Sequence, residues 1–421
     1  MTGHAPREFD IVVHGASGFV GRLVAGHLAR YAPAGVRIAL SGRSAEKVAA
    51  VRATLPGAAD WPIVVADAAD AAALRALAAR TRVVATTVGP YARHGVPLVE
   101  ACATAGTDSV DLTGEVVFVR ECIDRFHGAA RTSGARIVNA CGFDSIPSDL
   151  GVWITARRAA ADGAGTLGAT ALVMRKAKGG FSGGTIDSLR QQLRMTGADP
   201  ALARLVADPF GLDPVRRAPS AGGWPLRDAD VAWPRRDRSL GEWVGPFVMA
   251  PFNTRIVRRS HALLDGGYGP DFHYQEVVGF GTSLASPLRA LAMTLGFGAL
   301  VAGLGFGPTR RLLDRLLPAP GEGPDDEARA NGMFALDIVA GTTGGTRYRT
   351  RVAAQGDPGY AATSLMLGES ALALVVNRDR LPDRAGVLTP ATAFGDVLVD
   401  RLRAAGMTFV TTAIPTTARS G

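Results

Sequence analysis

Three glycines, Gly15, Gly18 and Gly21, recur at a spacing of three within Gly15-Ala16-Ser17-Gly18-Phe19-Val20-Gly21. The apolar run 9–14 (FDIVVH) precedes them, and residues 22–30 follow with apolar positions at helical spacing. Strand, glycine-rich turn and helix in that order are what a dinucleotide site requires. Gly15 permits the tight turn. Gly18 lets backbone N–H groups approach a pyrophosphate at the helix N-terminus, and Gly21 allows close packing of helix on sheet. The plainer alternative is a glycine-rich turn without a ligand.

The end of the next strand discriminates between cofactors. An NAD site places Asp or Glu there for the ribose 2′-hydroxyl. This chain has Ser41-Gly42-Arg43-Ser44 instead. Arg43 can pair with a 2′-phosphate and Ser41 or Ser44 can donate to it, so the expected cofactor is NADP, as NADPH. The alternative for Arg43 is an exposed surface charge. Asp67 follows the third strand, where a carboxylate suits the adenine amino group. Thr87-Val88-Gly89-Pro90-Tyr91 closes the fourth strand at the edge where nicotinamide would lie, with Tyr91 either lining the site or packing beneath it. Cys141, Gly142 and Phe143 follow the sixth strand at the same carboxyl edge, where ligands of such sheets bind.

The elements that must position these residues are legible as alternation. Further strands are expected at 36–40, 62–66, 82–88, 108–112 and 136–140, with helices at 22–30, 45–55, 70–80, 97–105 and 117–133. Six strands alternating with helices predict a doubly wound parallel sheet, a Rossmann domain over residues 1–147. The pattern changes after Pro147. Strands at 170–175, 247–250, 333–340 and 346–353, separated by helices and by loops such as 208–225, predict a second α+β domain over 148–385. It would carry a mainly antiparallel sheet and serve substrate binding or dimerisation. Residues 318–326 read as a polar linker and 362–376 as a helix rich in small residues. An amphipathic helix at 391–405 belongs to a C-terminal segment, 386–421, expected to return to the first domain.

With 421 residues, 47% hydrophobic and 20% charged, the chain is too apolar for disorder and long enough for two or three domains. Three cysteines, Cys102, Cys122 and Cys141, exclude a disulfide scaffold and match a reducing compartment. Only Lys47, Lys176 and Lys178 among the 46 basic residues are lysines, and the arginines are scattered. That argues against nucleic acid, while the net charge of +8 leaves room for an acidic ligand. Residues 1–8 do not resemble a signal peptide. Residues 290–307 form an apolar stretch flanked by Arg289, Arg310 and Arg311. The expectation is a buried core helix, or two short helices. The alternatives are a membrane contact or a cover for an apolar substrate, and a span is rejected because it would divide one enzyme between two compartments.

Together, the glycine motif, Ser41-Gly42-Arg43, Val88-Gly89-Pro90-Tyr91, Asp111-Leu112-Thr113-Gly114-Glu115 and 141–149 (CGFDSIPSD) resemble the saccharopine dehydrogenase-like family. The resemblance continues through 178–185 (KGGFSGGT), 250–260 (APFNTRIVRRS) and 386–390 (GVLTP). It is nearest to the branch of mycobacterial trans-acting enoyl reductases. This implies NADPH-dependent reduction of a carbon–carbon double bond in a lipid- or polyketide-type thioester, beside a polyketide synthase lacking its own enoyl reductase. Two other functions stay open. One is a saccharopine dehydrogenase-like enzyme acting on a small amino or imino acid, and the other is a non-catalytic NADP-binding scaffold at a membrane. A cytoplasmic enzyme, peripheral at the inner face of the cell membrane, and a homodimer complete these expectations.

Enoyl reduction needs a hydride at the β-carbon, a donor for the developing enolate and an acid at the α-carbon. Tyr91 is the candidate oxyanion donor. His94, Asp144 and Ser145 are candidate proton donors, although a loop histidine is commonly structural and Asp144 and Ser145 also suit capping of the helix opened by Ile146-Pro147. Cys141 lacks an evident histidine partner, so burial is expected of it. Asp111 and Glu115 either bind substrate or fix loops. His273 and Tyr274 either reach the cleft or belong to a strand. Arg255, Arg258 and Arg259 either clamp a carrier phosphate or lie as exposed charges on a strand. No cluster has metal-ligand spacing, so no metal is expected.

Overall fold

The computed structural model describes residues 7–179, 183–214, 227–305, 309 and 325–415. The first elements are β1 (Phe9–His14), α1 (Phe19–Tyr31), β2 (Ile38–Gly42), α2 (Ala45–Ala53), β3 (Ile63–Val65), α3 (Ala71–Arg80), β4 (Thr81–Thr86), α4 (Tyr91–His94), α5 (Val96–Ala105), β5 (Asp108–Val110), α6 (Val116–Ser133) and β6 (Arg136–Val138). Next come α7 (Ile146–Ala161), β7 (Leu167–Lys178), α8 (Gly183–Ala198), α9 (Pro200–Ala207), β8 (Arg235–Asp237), β9 (Glu242–Pro246), α10 (Ala250–Leu263), β10 (His273–Gly281), α11 (Ser286–Gly305), α12 (Asp326–Ala330), β11 (Met333–Thr342) and β12 (Arg347–Gln355). A π-helical turn (Pro358–Ala362), α13 (Thr363–Val376), β13 (Gly386–Leu388), α14 (Pro390–Phe394), α15 (Asp396–Ala404) and β14 (Thr408–Ile414) complete the order.

The first sheet has seven parallel strands in the order β13-β6-β5-β4-β1-β2-β3. Every residue of β1 is buried, as its unbroken apolar run requires of a central parallel strand covered on both faces. The second sheet runs β14-β12-β11-β7-β10-β9-β8 and is antiparallel except where β7 meets β10. The expected combination of a doubly wound parallel sheet with an α+β unit carrying a mainly antiparallel sheet is what the chain forms.

Long-range pairing produces the differences from the sequence reading. The first sheet gains its seventh strand from Gly386–Leu388, which pairs with Arg136–Val138 far upstream. Helix α13, assigned by sequence to the second domain, packs across β1, β4 and β5 and against α1. There Glu369 meets His27 Nε2 at 2.8 Å and Arg401 Nη2 at 2.7 Å, tying α13 to α1 and α15. The C-terminal segment serves both sheets, because β14 pairs with β12 at the edge of the second. One apolar core runs from Val13 and Leu28 through Leu150 of α7 to Leu336 and Val352, so the two units share it.

Three local expectations change. Residues 247–250 are not a strand: the strand is Glu242–Pro246, and Ala250-Pro251 opens α10. The helix expected at 391–405 is broken at Gly395, whose φ of +53° and ψ of −137° are open to glycine and strained for other residues. The apolar stretch 290–307 is no core helix. Its described part lies in α11, of which only 11% of the apolar window is buried. Residues 306–307, the loop 215–225, most of the linker 318–326 and residues 180–182 of the 178–185 motif lie outside the described residues.

Candidate functional site

The glycine motif forms a close-packed cradle between β1 and α1. A Cβ on Gly15, whose φ is +89°, would stand 2.8 Å from Val88 Cγ2 and 2.9 Å from Thr87 Oγ1. One on Gly21 would stand 2.1 Å from the Gly15 carbonyl oxygen. Helix α1 is therefore seated directly on the turn. Its N-cap, Gly18, offers no side chain, so no side-chain acceptor satisfies the first N–H groups, which are left for an anion. Phe19 sets its ring edge-on to Tyr360, with centroids 4.7 Å apart, and the Arg22 and Arg329 guanidiniums lie 5.3 and 5.2 Å from the Phe19 centroid. Ala16 is buried beneath the turn, while Ser17 and Val20 keep partial exposure.

At the end of β2, Arg43 is exposed, and no described residue pairs with its guanidinium. Ser44 caps α2 by accepting the Lys47 N–H at 3.3 Å. Ser41 departs from its expected role: its hydroxyl is buried and lies 3.1 Å from His14 Nδ1, turned into the sheet. Burial lowers the His14 pKa to about 4, so that ring is neutral. Asp67 is exposed and its carboxylate accepts the Ala69 N–H at 2.9 Å, closing the turn after β3. The glycine cradle, the uncapped helix and the unpaired arginine fit a phosphorylated dinucleotide.

Where nicotinamide is expected, loops interlock. Val88 donates its N–H to Thr86 Oγ1 at 3.3 Å, and Gly89-Pro90 then leads into α4. Tyr91 is not placed as an oxyanion donor. Its buried hydroxyl donates to the Thr86 carbonyl and accepts the Leu112 N–H, both at 3.1 Å, bracing β4 against the loop after β5. Glu115 receives the N–H groups of Tyr91 at 2.9 Å and Ala92 at 2.8 Å, so its carboxylate caps α4. The Ser188 hydroxyl of α8 donates to the same carboxylate at 2.8 Å. Asp111 accepts from the Thr113 N–H, the Ala140 N–H and Asn139 Nδ2 at 3.0, 2.9 and 2.6 Å, holding Ala140 at a φ of +61°. Burial raises Asp111 to about 6 against these donors. Of their two expected roles, both acidic residues take loop fixing.

Asp144 differs from every other acidic group here. No described residue hydrogen-bonds its carboxyl, it stays partly exposed, and Oδ2 lies 3.1 Å from where a Cβ on Gly114 would be. Desolvation raises its pKa to about 7. An unpaired carboxyl so shifted, at the carboxyl edge of the sheet, can hold a transferable proton near neutrality. It does not cap α7, and neither does Ser145, whose buried hydroxyl turns to Asn253 Oδ1 at 3.2 Å. Asn253 continues to Glu276 at 2.9 Å, and Tyr274 donates to that carboxyl at 2.8 Å. Ser145 thus belongs to a buried network, and Tyr274 lies on β10 within it. His94 ends α4, half-buried, and His273 lies 3.2 Å from Asp228. The Cys141 thiol is buried and its pKa is pushed up by burial, which excludes a reactive thiolate. A Cβ on Gly142 would meet Leu112 at 3.0 Å, and Phe143 donates its N–H to Thr363 at 3.1 Å.

Arg255, Arg258 and Arg259 are neither exposed nor on a strand. All three are buried on α10. Arg258 donates to the carbonyls of Pro209, Asp228 and Tyr274, Arg259 to those of Leu212 and Val387, and Arg255 pairs with Asp230. They cannot clamp a carrier phosphate, because each guanidinium is spent inside the fold. Sequence reasoning missed Ser188, Asn253, Arg329 and Tyr360. Each arrives from an element remote in sequence; Asn253 lies within the 250–260 motif, but nothing local in that motif marks its partners. Among the described residues no acidic, histidine or cysteine cluster could hold a metal ion.

Residues 11–138 match the family model of the saccharopine dehydrogenase NADP binding domain. A trans-acting enoyl reductase of Mycobacterium tuberculosis is 47% identical over 422 residues, covering 97% of this chain and 99% of that protein. One of Mycobacterium ulcerans is 48% identical over 417 residues, covering 96% and 97%. Another M. tuberculosis protein, bearing the same name provisionally, is 50% identical over 418 residues, covering 97% and 98%. The apo saccharopine dehydrogenase (L-Glu forming) of Saccharomyces cerevisiae aligns over 97% of this chain and 100% of its own, with a TM-score of 0.54 at 14% identity, a likeness of fold.

Proposed function

The chain belongs to the saccharopine dehydrogenase-like family, in the branch of the trans-acting enoyl reductases, and we propose that it reduces the carbon–carbon double bond of a lipid- or polyketide-type enoyl thioester. It is an NADP-dependent oxidoreductase. The observation that carries the substrate reading is near-full-length kinship with proteins so named. In this reading a polyketide synthase or acyl carrier protein presents the thioester in the cytoplasm.

Bound NADPH supplies a hydride to the β-carbon. The chain's own residues do the rest. The Gly15–Gly21 cradle and the start of α1 hold the pyrophosphate, and Arg43 holds the 2′-phosphate. Asp144, whose proton affinity desolvation raises toward neutrality, gives its proton to the α-carbon and recovers one from solvent. The balance is one hydride and one proton added across the double bond, with NADP left oxidised. An amino-acid substrate is the weaker reading, because the buried arginines of α10 are bound to carbonyls and an aspartate of the chain and offer nothing to a substrate carboxylate.

The test is NADPH oxidation by the purified protein with medium- and long-chain 2-enoyl thioesters, set against NADPH oxidation with the imine precursors of saccharopine and NADP reduction with saccharopine itself. Turnover of enoyl thioesters alone supports the assignment. Turnover of the amino-acid set alone overturns it.

A further inference from the structure

Helix α11 presents its apolar side outward. Leu288, Leu291 and Leu295 are 70%, 40% and 54% exposed, and Leu284, in the turn before it, is fully exposed. At 3.6 residues per turn, these leucines share one face with Ala292, Ala299 and Ala302, all exposed, and with the exposed Arg289, Gly296 and Gly298 beside them the exposed arc spans about half the circumference. The opposite side is seated on the second sheet. A Cβ on Gly245 of β9 would stand 3.7 Å from both Met293 and Thr294, and the Thr294 hydroxyl is satisfied by the Ala290 carbonyl at 2.8 Å. The polar atom is thus turned inward and the leucines outward. Chance exposure of single apolar residues does not give a continuous face about 30 Å long.

Two features select the occupant. The exposed arc is wider than the narrow seam that a partner helix covers, whereas a lipid surface covers a half-circumference at once. The charge is one-sided: between Glu276 and Asp314 the sequence has no acidic residue but has Arg289, Arg310 and Arg311. Arg289 is exposed at the rim of the apolar face, and no described residue forms an ion pair with it. An apolar face with a cationic rim at Arg289 complements an anionic bilayer. We propose that α11 lies in the plane of an anionic membrane surface with Leu288, Leu291 and Leu295 immersed. The inference stands apart from the reductase reading, since it concerns where the protein sits and not what it reduces.

The test is co-flotation of the full chain with vesicles of phosphatidylglycerol and phosphatidylcholine, and with phosphatidylcholine alone. Three variants accompany it: Leu288→Asp with Leu291→Asp and Leu295→Asp, Arg289→Glu, and Val410→Asp as a control on an exposed apolar residue of β14. Thermal unfolding and light scattering check folding and mass. Wild type and Val410→Asp are expected to float with the anionic vesicles. The triple variant should bind at least about 100-fold more weakly with an unchanged midpoint, and Arg289→Glu, a change of two charges, about 30-fold more weakly. Absence of wild-type flotation at every lipid ratio overturns the proposal, as does equal binding by the triple variant. A wild-type dimer that the triple variant converts to monomer, without flotation, gives the face to a second copy instead.

Discussion

Ser188 of α8 donates its hydroxyl to Glu115 at 2.8 Å, and the same carboxylate caps α4 through the N–H groups of Tyr91 and Ala92. One buried carboxylate therefore couples the carboxyl edge of the first sheet to the helix that follows β7 of the second. Both are positioning residues. Glu115→Gln leaves one N–H without its acceptor and should cost about 1–3 kcal/mol of stability. Ser188→Ala should cost about 1 kcal/mol or less and leave the NADPH Kd unchanged, while raising KM for the thioester several-fold. Thermal unfolding and steady-state kinetics separate these effects. A purely structural role for Ser188 would leave KM untouched.

Arg43 should discriminate between the two nicotinamide cofactors. Its guanidinium is exposed and pairs with no described residue, so removing it disturbs none of the contacts described above. A charge-assisted contact to a 2′-phosphate is worth about 1.5–3 kcal/mol, so Arg43→Ala should weaken NADPH binding by roughly 10- to 100-fold and leave NADH binding as it was. Titration by reduced-nicotinamide fluorescence reads both. Equal weakening for both nucleotides would remove the 2′-phosphate from its role.

How much was legible follows the range of the contacts. Gly15, Gly18 and Gly21 announce themselves because strand, turn and helix are adjacent in sequence, and the β1–β6 alternation is likewise local. Strand β13 was invisible as a partner of β6, since three residues of ordinary composition carry no sign of pairing across about 250 positions. Tyr91 was misassigned for a physical reason. Its position at the strand end was right, but a hydroxyl between the Thr86 carbonyl and the Leu112 N–H is a fact of packing. The arginines of α10 misled in the opposite sense, because a cluster of charges usually means surface and here caps buried carbonyls.

Asp144 gives a pH signature. Its pKa is raised to about 7, so the proton-bearing form dominates below that value and is lost above it. If it supplies the α-proton, kcat/KM should fall as pH rises through about 7. Asp144→Asn should lower the rate by roughly 100-fold and abolish that limb. The pH–rate profile of the pair decides it, and an unchanged limb in the variant would assign the ionisation elsewhere.

Stability should carry a related signature. Burial raises Asp144, Asp149 and Glu276 to about 7 and Asp111 to about 6, above the ordinary carboxyl range near 4. Between those values the folded chain holds more protons than the unfolded one. The stability these groups contribute is thus complete below about pH 4 and is lost as pH rises through 7. The depressed rings of His14 and His127 act in the opposite sense up to about pH 6.5, so thermal midpoints should decline from about pH 6.5 to pH 8, less steeply in Glu276→Gln. The depressed carboxyl of Asp10 acts only at lower pH and does not mask this trend.

The most direct measurement follows the reducing atoms. NADPH deuterated at the transferable C4 position, incubated with the protein and a 2-enoyl thioester in ordinary water, should give the saturated thioester with one deuterium at the β-carbon. In heavy water with unlabelled NADPH, the single deuterium should appear on one face of the α-carbon, and Asp144→Asn turnover should be slower and lose that facial selectivity. Deuterium at a carbon bearing nitrogen in an amino-acid product, with the enoyl thioester untouched, would contradict the account.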